Sequence, residues 1–256
     1  MCSFGDLKFY SSRAFLDDVD DDDEETQSPP LVYTSLMSCE QPASSLLLAY
    51  GSLSVEFCRG LLPASGFQLC GRFCVGPLEV ADVFQSPGLL LALCPPLRDA
   101  APAFSLAQQL LQRCSGDSSC VVLTTEHICK LRAATGEFSE SSEALRCLTS
   151  PAADRLPPSS VGRLPRPAFV DSVPAAVLTA CTLQQLPCVT YVVYTETVSP
   201  YDVSAVAGDL RRALRSHQAW RKLSAASSNR SAGLNTEQQA GTPRKGASIQ
   251  VPFNYI

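Results

Sequence analysis

With 256 residues and 45% apolar side chains, the chain is long enough to bury one large core or two small ones. A formal net charge of −5 and a pI near 5.1 argue against a nucleic-acid binder, which needs a basic patch. The longest apolar runs, Leu46–Tyr50 and Leu89–Cys94, fall far short of the roughly 20 residues that cross a bilayer, so membrane insertion is not expected.

The first residues, Met1-Cys-Ser-Phe-Gly-Asp6, have neither the basic nor the apolar region of a secretory signal, and a cytoplasmic location is expected. An acidic block from Asp17 to Glu25, followed by Ser28-Pro-Pro30, cannot bury its charges, so residues 1–30 read as a disordered arm. Solubility accounts for it; contact with a basic surface is the sharper alternative.

From Leu46 the pattern changes to short apolar runs alternating with helical periodicity, the signature of an α/β domain, here assigned to residues 31–223. Strands are expected at Leu46–Tyr50, Leu89–Leu93, Cys120–Thr125 and Cys188–Thr195. Each is hydrophobic throughout, as when both faces of a parallel sheet are covered. A three-layer α/β/α sandwich with a mainly parallel sheet follows.

Three helices supply the cover. Ala103, Leu106, Ala107, Leu110 and Leu111 form one stripe before the strand at Cys120. A second helix opens at Asp171-Ser-Val-Pro174, with Asp171 or Ser172 as cap and Pro174 near its start; its expected stripe is Val173, Ala176, Val177, Ala180 and Leu183, and Pro187 stops it. The third follows Ser199-Pro200 and turns Val203, Val206, Ala207, Leu210, Ala213 and Leu214 inward. Asp209, Arg211, Arg212 and Arg215 point away, the arginines complementing the helix dipole. Residues 150–167, rich in Pro, read as an irregular loop, and residues 224–256, rich in Ser, Gly, Asn and Gln, as a flexible tail.

Signatures of chemistry are sparse. Gly51 follows a strand without the further glycines of a phosphate cradle, and Tyr50-Gly-Ser-Leu-Ser54 misses the pattern of a nucleophile elbow. His127, just beyond a strand, is the best candidate for a base but lacks a partner nucleophile, and backbone contacts at a strand end explain it as well. His217 reads as a helix C-cap. Glu126, Glu137, Glu140 and Glu143 read as a solvated loop and helix face, not as a paired acid and base. The twelve cysteines read as reduced thiols, with Cys94, Cys120, Cys181 and Cys188 inside apolar runs. Cys70 and Cys74 offer two metal ligands, but no second pair completes a zinc site. No cofactor or metal is expected.

Phe169-Val-Asp-Ser-Val-Pro-Ala-Ala-Val-Leu-Thr-Ala-Cys181, continued by Leu186-Pro187 and Tyr191-Val-Val-Tyr-Thr-Glu-Thr197, closely resembles the proteasome assembly chaperone 1 family. Fainter similarity covers Leu46–Gly51 and Val121–His127, in the family's order, with an acidic N-terminal arm. The resemblance implies a non-enzymatic chaperone that forms a heterodimer with proteasome assembly chaperone 2 and holds α subunits of the proteasome core particle while their ring forms. It also implies a C-terminal anchor, a hydrophobic-Tyr-X tail that enters a pocket between α subunits. Here the tail is Phe253, Asn254, Tyr255 and Ile256, with Tyr255 penultimate, Ile256 supplying the carboxylate, Asn254 departing from the hydrophobic position and Phe253 offering apolar surface one residue earlier. A flexible segment of roughly 25 residues before it reaches about 25–30 Å. The rival expectation is an α/β enzyme of phosphorylase or hydrolase type, since such folds host many chemistries.

Overall fold

The computed structural model describes residues 29–37, 42–135, 144–155, 161–165, 169–197, 199–217 and 220. The acidic block, Glu137, Glu140, Glu143 and the tail lie outside them.

The four expected strands form the middle of one sheet: β2 (Ala43–Tyr50), β5 (Leu89–Cys94), β6 (Cys114–His127) and β8 (Cys188–Thr195). Their order is β5-β2-β6-β8, and all three pairings are parallel. Side chains alternate between two apolar layers, which is why these strands read as continuous hydrophobic runs. Leu46, Leu48, Leu90, Ala92 and Val122 enter one core; Leu47, Leu91, Leu93, Val121 and Val189 enter the other.

The sheet as a whole is mixed rather than mainly parallel. Beyond β5 it continues through β4 (Leu78–Ser86), β3 (Gln68–Val75) and β1 (Leu31–Ser35), all antiparallel, and on the far side β7 (Leu145–Thr149) runs antiparallel to β8. Antiparallel pairings therefore outnumber parallel ones. The cause lies in the turns: β3 meets β4 through Gly76-Pro77, and β4 meets β5 through Pro87-Gly88. The glycines take φ of +57° and +74°, which side chains with a Cβ adopt at a cost, so two-residue hairpins replace helical crossovers.

Helices cover both faces. α2 (Ala103–Leu111) and α4 (Ser172–Leu183) pack side by side over one core. The other lies under α5 (Val203–Arg215) and α1 (Ser52–Leu61), a helix the sequence reading missed. α3 (Ile128–Thr135) follows β6 directly. The stripes expected on α2 and α5 point inward, with Val203 and Ala207 half-buried at the margin of the α5 stripe.

α4 departs from expectation at both ends. Neither Asp171 nor Ser172 caps it through a side chain. Asp171 instead binds Lys130 at 3.1 Å, and Ser172, at φ +52°, receives a 3.0 Å hydrogen bond from the Tyr50 hydroxyl. Leu183 is 72% exposed and Cys181 takes the inner position, because at 100° per residue Leu183 lies about 120° around the helix from Val177, the middle of the buried face, and Cys181 only about 40°. The C-terminus closes in a Schellman turn, with Leu186 N–H to Cys181 O at 2.8 Å, Gln185 N–H to Thr182 O at 3.3 Å, and Gln185 in the left-handed region.

In the Pro-rich stretch, expected as an irregular loop, the described residues make defined backbone contacts. Pro151–Arg155 forms a 3₁₀ turn, and Gly162 and Leu164 hydrogen-bond the backbone of Cys147, so this segment covers the outer edge of β7.

Candidate functional site

In open α/β sheets, ligands and catalytic groups gather beyond the C-terminal ends of parallel strands, so His127 and its surroundings come first. His127 ends β6, is exposed, and accepts a 3.2 Å hydrogen bond on Nδ1 from the Cys129 N–H. Beside it, Lys130 bridges Glu126 at 2.8 Å and Asp171 at 3.1 Å. Partial burial opposes the Lys130 charge, but the two carboxylates outweigh it and hold the ammonium above its usual range. A lysine held in that form cannot act as a base. The cluster ties the start of α4 to the end of β6.

Gly51, at φ +89°, turns the chain from β2 into α1. Ser54 lies in the first turn of that helix, wholly buried, and its hydroxyl has no hydrogen-bond partner among the described residues, so it does not meet a base there.

His217 also departs from its expected role. It is buried, and its Nε2 lies 2.9 Å from the Tyr191 hydroxyl, which also meets Ser216 Oγ at 2.9 Å. Burial pushes its pKa down to about 4, so at neutral pH it is uncharged and contributes nothing to the helix dipole. The His217 backbone accepts from Trp220, whose ring stacks on Phe67 at 6.2 Å under α1 and α5.

Cys70 and Cys74 lie four residues apart on β3, a separation on the order of 13 Å along an extended strand, too far for one ion. The Cys70 thiol donates to Val83 O at 3.2 Å. The sulfur atoms that the fold does gather belong to Cys120, Cys181 and Cys188.

The surface that stands out by composition is the antiparallel wing. Val32, Leu36, Met37 and Leu78, all on β1, β4 or the turn after β1, are each about half exposed. Leu78 also lines a cleft of about 520 Å³ that opens between Pro29–Leu31, the start of β4 and the proline-rich segment Pro95–Pro102, with Glu79, Arg98 and Asp99 among its lining. Beneath, Tyr33 lies over the bare backbone of Gly71 and against Phe73, with ring centroids 4.8 Å apart, and the Arg113 guanidinium covers the Tyr33 ring at 3.4 Å. These residues were not singled out in the sequence. The proposed anchor, Phe253, Asn254, Tyr255 and Ile256, lies outside the described residues.

The molecule is thus an α/β protein with a mixed sheet between helical layers and a proline-lined cleft in its antiparallel wing. No family model matches its sequence, and no curated protein matches it. Solved structures share the fold. One is PbaA of Pyrococcus furiosus, an archaeal homolog of proteasome-assembly chaperone, with a TM-score of 0.53 at 11% identity, covering 82% of this chain and 94% of that one. PbaB from the same organism, an archaeal proteasome activator, gives 0.51 at 9% identity, covering 81% and 98%. A Mycobacterium tuberculosis protein of unknown function gives 0.50 at 13% identity, covering 82% and 85%. Among the described residues, no helix is long and apolar enough to cross a membrane.

Proposed function

We propose that this chain is a non-enzymatic chaperone of proteasome core-particle assembly in the cytoplasm, working as a heterodimer with proteasome assembly chaperone 2 and holding α subunits while the α ring forms. One observation carries the reading. The segment Phe169–Thr197, which resembles the proteasome assembly chaperone 1 family, folds as α4 and β8 within an architecture shared with PbaA, an archaeal homolog of proteasome-assembly chaperone.

A division of labour fits this reading. α4 and β8 pack into the core and shape the scaffold, while the half-exposed apolar side chains of the wing offer a surface for the paired chaperone. Phe253, Asn254, Tyr255 and Ile256 supply a tethered anchor for the α ring. A tether raises the local concentration of the anchor, so a weak tail contact and a weak domain contact together bind with avidity. Removing Tyr255 and Ile256 is therefore expected to weaken capture of purified α subunits without abolishing it. Unchanged affinity of the truncated protein would refute the anchor, and failure of the full-length chain to bind any α subunit would refute the chaperone reading.

A further inference from the structure

Three buried thiols converge from three separate elements. Cys120 on β6 and Cys188 on β8 are register partners on adjacent strands, and Cys181, in the last turn of α4, sits over them. Their sulfur atoms all lie within 4.8 Å of one another, and each residue is 1% exposed or less. Packing alone asks for small apolar volume at each of these positions. It does not require three sulfurs facing one point.

We propose that Cys120, Cys181 and Cys188 form a binding site for a thiophilic closed-shell cation, zinc(II) or copper(I), which pins α4 to β6 and β8. Metal–sulfur bonds of about 2.3 Å place thiolate sulfurs roughly 3.8–4.0 Å apart, so the triad closes on an ion by shifts of less than about 1 Å. The cluster contains no carboxylate and no imidazole. Hard cations such as magnesium and calcium therefore find no oxygen ligands there, and soft ones find the donor they prefer.

Binding needs thiolates, so an arriving cation displaces the thiol protons to solvent as the metal–sulfur bonds form. Thr190 lies two residues beyond Cys188 on the same face of β8. Its hydroxyl is wholly buried and has no hydrogen-bond partner among the described residues, which leaves it free to orient a Cys188 thiolate, the role of a group behind a metal ligand.

Three thiolates satisfy copper(I), whereas zinc(II) needs a fourth donor from outside the triad.

The test uses full-length protein, reduced, stripped with a chelator, and titrated without oxygen against a chromophoric competitor, with zinc(II) in one arm and copper(I) in the other. One tight equivalent is expected. Cys181→Ser lowers its affinity at least ~100-fold and Thr190→Val about 10-fold, while the double variant Cys70→Ser, Cys74→Ser leaves it unchanged. A tight equivalent in the zinc arm identifies zinc, and one in the copper arm alone identifies copper. Absence of a tight equivalent of either cation, or wild-type affinity in Cys181→Ser, overturns the proposal. If that variant folds poorly, alkylation of the wild-type protein in mild denaturant decides. Metal-dependent protection of Cys120, Cys181 and Cys188 supports the site, and equal labelling with and without metal overturns it.

Discussion

The parallel centre of the sheet and its antiparallel wing solve the same burial problem in opposite ways. In the centre, β2, β8 and the Cys120–Thr124 stretch of β6 are covered on both faces, and almost every side chain there is buried. In the wing, β1, β3 and β4 bury some positions and leave others in contact with solvent. A strand enclosed by helices has no surface to offer a partner. The wing has one, and its half-exposed apolar residues are the kind that complex formation removes from water. The segment resembling a chaperone family lies in the centre, so the residues that carry the resemblance are not those expected to do the binding.

Four perturbations sharpen this contrast. Leu210 on α5 is fully buried against the centre, and Leu210→Ala is expected to cost about 2–5 kcal/mol, read from the urea midpoint. Retention of wild-type stability would show that this layer is not the structural core. His217 gives the centre a pH dependence. Its pKa is near 6.5 unfolded and about 4 folded, so its contribution is complete above pH 6.5 and is lost as pH falls toward 4. The loss is about 3 kcal/mol at most, and it should be missing from the pH profile of His217→Gln.

In the wing, a Cβ on Gly71 would lie 2.2 Å from the Tyr33 hydroxyl. Gly71→Ala is expected to cost about 1–3 kcal/mol and to raise hydrogen exchange in β1 more than in β2 or β6. Uniform exchange changes would mean that the wing is not a separable unit. The smallest effect on stability belongs to Leu78→Asp, within about 0.5 kcal/mol because the residue is 58% exposed. It should nonetheless weaken pairing with the second chaperone in a binding titration; unaltered pairing would remove the wing as the partner surface.

Legibility in the sequence follows the same division. β2, β5, β6 and β8 were readable because burial on both faces leaves an unbroken apolar run, and α2 and α5 because their stripes keep the helical period. The wing was not, since Arg72, Glu79 and Asp82 interrupt its strands; Gly76-Pro77 and Pro87-Gly88 were the available hairpin signals. α1 escaped because Ser54 occupies an inward position among Leu53, Phe57, Cys58 and Leu61. The roles of His217 and the cysteine triad depend on contacts between distant elements, Tyr191 with His217 and β6 with α4 and β8. No local spacing encodes these.

The most direct test of the account is purification of the tagged full-length chain from cells, with the co-purifying proteins identified and quantified. The chaperone reading predicts stoichiometric recovery of a second α/β chaperone together with proteasome α subunits; recovery of neither would contradict it.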